Sequence, residues 1–143
     1  MGIFNIFKKL IGREETVSRP PKAPTVYDFS SKPVEDLDSF EGTAEQYFTW
    51  IFSYYFPHLQ VQKKAIAATN GSWSYGEMPA SFIFSQEDKV VLVVILCHGQ
   101  EYRRAAIRHT VEEYESMGIP VQRYYSNFLN DSNYVVERMK SAL

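Results

Sequence analysis

The run from Lys89 to Gly99, KVVLVVILCHG, constrains this chain more than any other stretch. From Val90 to Cys97 it is apolar without interruption and rich in β-branched residues. Such a run is too short to cross a bilayer, and its branching disfavours a helix. It reads as a β-strand covered on both faces, so the rest of the chain must supply two layers of apolar cover. The run ends in His98-Gly99, and α/β proteins commonly place their chemistry at such a strand exit.

With 143 residues, 45% of them hydrophobic, the chain has enough material for one domain with a core of its own, without disulfides or a structural metal. Its single cysteine, Cys97, lies inside the apolar run. That excludes a disulfide framework and a cysteine-rich zinc site, and it fits a reducing, cytoplasmic setting. A net charge of -2 supplies no global basic field, so binding to nucleic acid would need a local patch.

Residues 1–12, MGIFNIFKKLIG, carry apolar residues at helical spacing with Lys8 and Lys9 on the other side, which predicts a short amphipathic helix. At about 1.5 Å per residue a helix of this length spans only about half a hydrocarbon core, so it could lie on a membrane surface or a partner, or dock on its own domain, but not cross a bilayer. Ile6 stands where N-myristoylation wants Ser or Thr, and the basic residues follow the apolar ones, unlike a signal peptide. Residues 13–42, with Pro20, Pro21, Pro24 and Pro33, read as a proline-rich linker, interrupted by an apolar cluster at Val26, Tyr27 and Phe29 that could add an edge strand.

The domain is expected over 43–143. Thr43 and Gln46 have capping-box spacing and open a helix to Phe56, stopped by Pro57 and apolar almost all round. Leu59 to Ala68 alternates with period two and predicts a strand, followed by the Asn70-Gly71 turn. A second strand starts near Ser81 and turns at Gln86-Glu87-Asp88 into the central run. These connections are too short for crossovers, so the three strands should be antiparallel. Gln100 to Met117 has helical spacing and a C-terminal Gly118; Ile119 to Tyr125 is a fourth strand, parallel to the third through that helix. Asp131 or Ser132 caps a last helix with Tyr134, Val135 and Met139 inward.

The order helix, three strands, helix, strand, helix resembles the core of the PD-(D/E)XK nuclease superfamily, the restriction-endonuclease-like fold. The resemblance rests on Pro79-Ala80-Ser81-Phe82, Val94-Ile95-Leu96-Cys97-His98-Gly99, the basic helix with Arg103, Arg104 and Arg108, and Gly118-Ile119-Pro120-Val121. It implies an α/β domain with a mixed four-stranded sheet flanked by helices. In that family, carboxylates on the second and third strands hold a divalent metal, and a lysine positions the attacking water. Here those roles fall to Ser81, Leu96 and His98. Neither serine nor leucine supplies an anionic oxygen, so the resemblance implies a degenerate member without metal, cofactor or cleavage by the family mechanism.

Two enzyme readings stand against this. One is a migrated metal site built from Glu45, His98 and Glu101, with Glu77 beside them. The other is nucleophilic, yet Cys97 and His98 are strand neighbours that point to opposite faces, and no Gly-x-Ser-x-Gly turn presents Ser81. The cations available to a phosphate backbone are Lys63, Lys64, Arg103, Arg104 and Arg108, with Trp73, Tyr75, Tyr124 and Tyr125 expected as exposed aromatics to stack on bases or fill an interface. The expected partners are therefore a nucleic acid, or a protein that includes a second copy of the chain.

Overall fold

The computed structural model describes residues 31–35, 40–69, 71–75, 78–128 and 130–143. The amphipathic segment 1–12, the cluster at Val26, Tyr27 and Phe29, and Glu77 lie outside the described residues. The described elements run α1 (Ala44–Tyr55), β1 (Gln60–Ala65), β2 (Ala80–Gln86), β3 (Lys89–Cys97), α2 (Ala105–Ser116), β4 (Val121–Tyr125) and α3 (Ser132–Ala142). The fold is α/β, with three helices and a four-stranded sheet of order β1-β2-β3-β4, antiparallel except for the parallel β3–β4 pair. Two compact units divide it, one holding the described residues up to Pro57 with Asn127–Val136, the other His58–Ser126 with Glu137–Leu143.

In the first unit α1 starts on a complete capping box: Thr43 Oγ1 accepts from the Gln46 N–H, and Gln46 Oε1 accepts from the Thr43 N–H. Tyr47, Phe48, Trp50, Ile51 and Phe52 are buried. The Tyr47 hydroxyl donates to the Val34 carbonyl at 3.0 Å and the Trp50 indole to the Ser31 carbonyl at 2.9 Å. Phe40 packs its ring 5.6 Å from Tyr47 and 5.7 Å from Trp50. Residues that read as linker thus supply acceptors and an aromatic lid to the helix, because a buried Trp N–H and Tyr O–H need partners.

The second unit is built on β3. Val93, Val94, Ile95, Leu96 and Cys97 are all buried. Val93, Ile95 and Cys97 share one face and pack with Ile66 and with Ala106 and Ile107 of α2. On the other face Leu92, Val94 and Leu96 pair with Phe84, Phe82 and Ala80, all buried as well. The hairpin between β2 and β3 turns on Glu87 and Asp88 with φ of 53° and 64°, the left-handed pair that a two-residue turn demands, here without glycine. Gly118 ends α2 with φ of 77°, where glycine is the residue that fits.

Three local expectations are corrected. Strand β1 covers Gln60–Ala65 instead of Leu59–Ala68; at the sheet's edge it is exposed along its whole length, with Val61 47% exposed, and bonds to β2 alone. Its charged pair Lys63-Lys64 suits an edge, where lysine discourages further strand pairing. Helix α2 starts at Ala105, not Gln100, since Gln100–Arg104 form successive turns with Glu101 N–H donating to His98 O and Arg104 N–H to Glu101 O. Tyr134 is 54% exposed, while Val135 and Met139 are sealed as expected. Asp131 caps α3 by accepting from the Asn133 N–H at 2.7 Å.

Candidate functional site at the carboxyl end of β3 and β4

The positions that the nuclease resemblance singles out do not converge. Ser81 pairs with Ile95 and Leu96 with Ala80, so Ser81 and Leu96 issue from opposite faces of the sheet. Leu96 is 5% exposed within the apolar layer. The Ser81 hydroxyl donates to the Lys64 carbonyl at 3.2 Å. His98 lies just beyond β3. Glu45 belongs to the other compact unit, in the first turn of α1, where a carboxylate is favoured by the helix dipole. Among the described residues, no three or more of His, Cys, Asp and Glu stand close enough to hold a metal ion.

What the strand exit does assemble is a latch. Glu101 is 1% exposed. Its Oε1 accepts from the Ser74 N–H at 2.9 Å, and its Oε2 lies 3.5 Å from Arg104 Nη1. Arg104 reaches on to the Ser72 carbonyl, and its guanidinium lies 4.7 Å from the centre of the Trp73 ring. Trp73 in turn donates from its indole to the Ile66 carbonyl. The loop between β1 and β2 is therefore tied to the turn after β3 by two hydrogen bonds, one to the buried Glu101 carboxylate and one from Arg104, and by the Arg104 cation over the Trp73 ring. Sequence reasoning gave Arg104 to a phosphate and Glu101 to a metal; the fold gives them to each other.

His98 extends the latch. Tyr75 stacks on its ring at 4.8 Å with an interplanar angle of 20°, and Nδ1 accepts from the Gln100 N–H at 3.0 Å. Burial lowers the pKa of His98 below its usual 6.5, and the Glu101 carboxylate only partly opposes this. A depressed folded-state pKa means that the unfolded chain binds the proton more readily. The contribution is present above about pH 6.5 and is lost as pH falls through the folded value. The urea midpoint should accordingly drop between pH 7.5 and pH 5.5, and less so in His98→Phe, which can stack on Tyr75 but not titrate; equal drops would show that His98 is not the cause. Cys97, beside it in sequence, is inert: burial pushes its thiol up to about 11.

Next to the latch lies a cationic surface. Arg103 and Arg123 place their guanidinium carbons 5.3 and 5.6 Å from the centre of the Tyr102 ring, and Arg103 Nε donates to the Tyr102 hydroxyl at 2.7 Å. Tyr125 packs its ring 5.4 Å from Tyr102, whereas Tyr124, expected to be exposed, points to the other face of the sheet and is buried. Arg108 is tied to the same turn by donating from Nε to the Arg103 carbonyl. Both Arg103 and Arg123 are exposed. Arg123 was not among the cations expected from sequence. Its signal was there in the pairing, since a fourth strand parallel to β3 sets Arg123 against Ile95 and Tyr125 against Cys97.

Lys63 and Lys64 stand elsewhere, on β1 at the opposite edge of the sheet. Three strand spacings, about 14 Å, separate that edge from β4. A groove of about 280 Å³ beside it is lined by Lys64, Ser81, His109, Thr110, Glu113 and Tyr114 among others. The expected cations therefore form two groups, and the one at the strand exit combines charge with aromatic rings.

No helix among the described residues is long and apolar enough to cross a membrane. In comparison with known proteins, no family model, no curated protein and no solved structure matches this chain.

Proposed function

We propose that this chain is a catalytically silent module of restriction-endonuclease-like architecture that binds nucleic acid through Arg103, Arg108 and Arg123. The observation that carries the reading is the pair of guanidinium groups held over one ring, Tyr102, at the carboxyl end of β3 and β4. Guanidinium groups fixed by stacking lose less freedom on meeting a phosphate than mobile ones, and their forked donors match its oxygens. The silent half of the reading is supported by the side chains themselves. Leucine stands where a carboxylate would be needed, and Glu101 already accepts from Ser74 and faces Arg104.

The test is a titration of labelled oligonucleotides at two salt concentrations, with and without manganese. Affinity should fall steeply with salt, and Arg103→Ala and Arg123→Ala should each reduce the slope of log affinity against log salt by about one. Lys63→Ala should leave it unchanged, and no strand should be cut. Absence of binding at low salt would overturn the reading and favour a protein partner for the same surface. Cleavage that depends on manganese would overturn its silence.

A further inference from the structure

The nucleic-acid reading leaves open whether the ligand is a duplex or an unpaired strand, and the Tyr75–His98 stack bears on that choice. Tyr75 lies nearly parallel to the His98 imidazole, at 4.8 Å and 20°, yet remains 47% exposed. One face of the phenol ring is covered by His98, and nearly half of the residue's surface still reaches solvent. The residues around the ring are also held in place. Ser74, its neighbour, donates its N–H to the buried Glu101 carboxylate, Trp73 is pinned by Arg104 and by the Ile66 carbonyl, and His98 is fixed through the Gln100 N–H. A flat aromatic surface on an anchored loop has already lost the freedom that stacking a third ring would otherwise remove.

Bases in a duplex are stacked on one another and offer their faces to nothing else, whereas an unpaired base can continue a stack of protein rings. The same turn that begins at His98 carries Tyr102 and Arg103, so backbone-binding cations follow the stack within a few residues. Burial lowers the His98 pKa, which keeps the inner ring neutral around pH 7.

We infer that the open face of Tyr75, backed by His98, stacks one base of an unpaired strand while Arg103 and Arg123 hold its phosphates; this rests on the nucleic-acid reading above. The ligand class is single-stranded nucleic acid of any sequence, because every base has a face to offer and no base edge is read.

The experiment compares three labelled probes of about ten nucleotides, an oligothymidylate, an abasic strand of the same length and a hairpin duplex. The full chain, Tyr75→Ala and Tyr75→Phe are each titrated with all three. The oligothymidylate should bind the unaltered chain about tenfold more tightly than the abasic strand. Tyr75→Ala should remove that advantage without altering the abasic affinity or the salt slope, and Tyr75→Phe should restore it. Hydrogen-exchange protection of the Ser74 amide in Tyr75→Ala controls for a displaced loop. Equal binding of abasic and intact strands, a preference for the duplex, or an unchanged oligothymidylate affinity in Tyr75→Ala with Ser74 still protected would overturn the inference and leave the parent reading standing. Failure of all three probes to bind would overturn both.

Discussion

Glu101→Leu should destabilise the chain by about 2–4 kcal/mol, mostly by leaving groups that the carboxylate now satisfies. Glu101 is 1% exposed, and the Ser74 N–H donates to it at 2.9 Å. A leucine fills much of the same volume but accepts nothing, so that N–H is left without its bond where it cannot readily find water. Arg104 loses its anion too, but its side chain is 30% exposed and keeps the Ser72 carbonyl, so its share is small. Glu101→Gln separates the two contributions. The amide oxygen can still accept from Ser74 while the charge is gone, and the loss should fall to about 1 kcal/mol. Urea denaturation measures the total, and hydrogen exchange at the Ser74 amide shows whether protection is lost there first. An unchanged midpoint in Glu101→Leu would mean that the loop is not held by this carboxylate.

Installing the carboxylates of the nuclease pattern should wreck the fold without creating a nuclease. Leu96 is 5% exposed and pairs with Ala80 on one side and Tyr124 on the other. Leu96→Glu puts a carboxylate among apolar neighbours with no cation assigned to it, at a cost of about 3–5 kcal/mol, the size expected for an uncompensated buried charge. Ser81→Asp adds its carboxylate on the other face of the sheet, where Ile95 is its partner. Combining the two substitutions therefore gives two acids separated by the sheet instead of a pair sharing one ion. Thermal unfolding should show the loss for Leu96→Glu, and a supercoiled plasmid incubated with magnesium or manganese should stay intact with the double variant. Nicking by that variant, absent from either single one, would show that Ser81 and Leu96 can reach a common point and that the register is wrong.

The parts of the fold that could be read in advance were those where one local cause decides the outcome. An eight-residue apolar run has little choice but the middle of the sheet, and Thr43 with Gln46 fixes the start of α1 within its own turn. Gly118 is of the same kind. Less was legible where a pattern is shared by two states. Alternation in LQVQKKA suits an edge strand exposed on both faces as well as one with a buried face, because period two gives the direction of a side chain and not what meets it. Helical spacing across Gln100 to Arg104 was outweighed by tertiary contacts, since Glu101 turns inward to a loop 27 residues earlier in the chain. The candidate site suffered most from this. Arg104 and Glu101 are exposed charges in any local reading and become a latch around one buried carboxylate only once the loop at Ser72–Tyr75 is brought to them. Arg123 gained its role through register with β3, which no window around it contains.

The sealed position of Cys97 makes the molecule its own clock of unfolding. Its thiol is 1% exposed, raised to about 11, and seated at the end of the strand bonded on both sides. An alkylating reagent added to the native chain has no other cysteine to attack, since there is one in the sequence. Modification must await an excursion that frees the end of β3, so its rate is the population of that opened form multiplied by the chemistry of an ordinary thiolate. The central strand thus carries a covalent counter of its own departures, readable as the mass that the reagent adds.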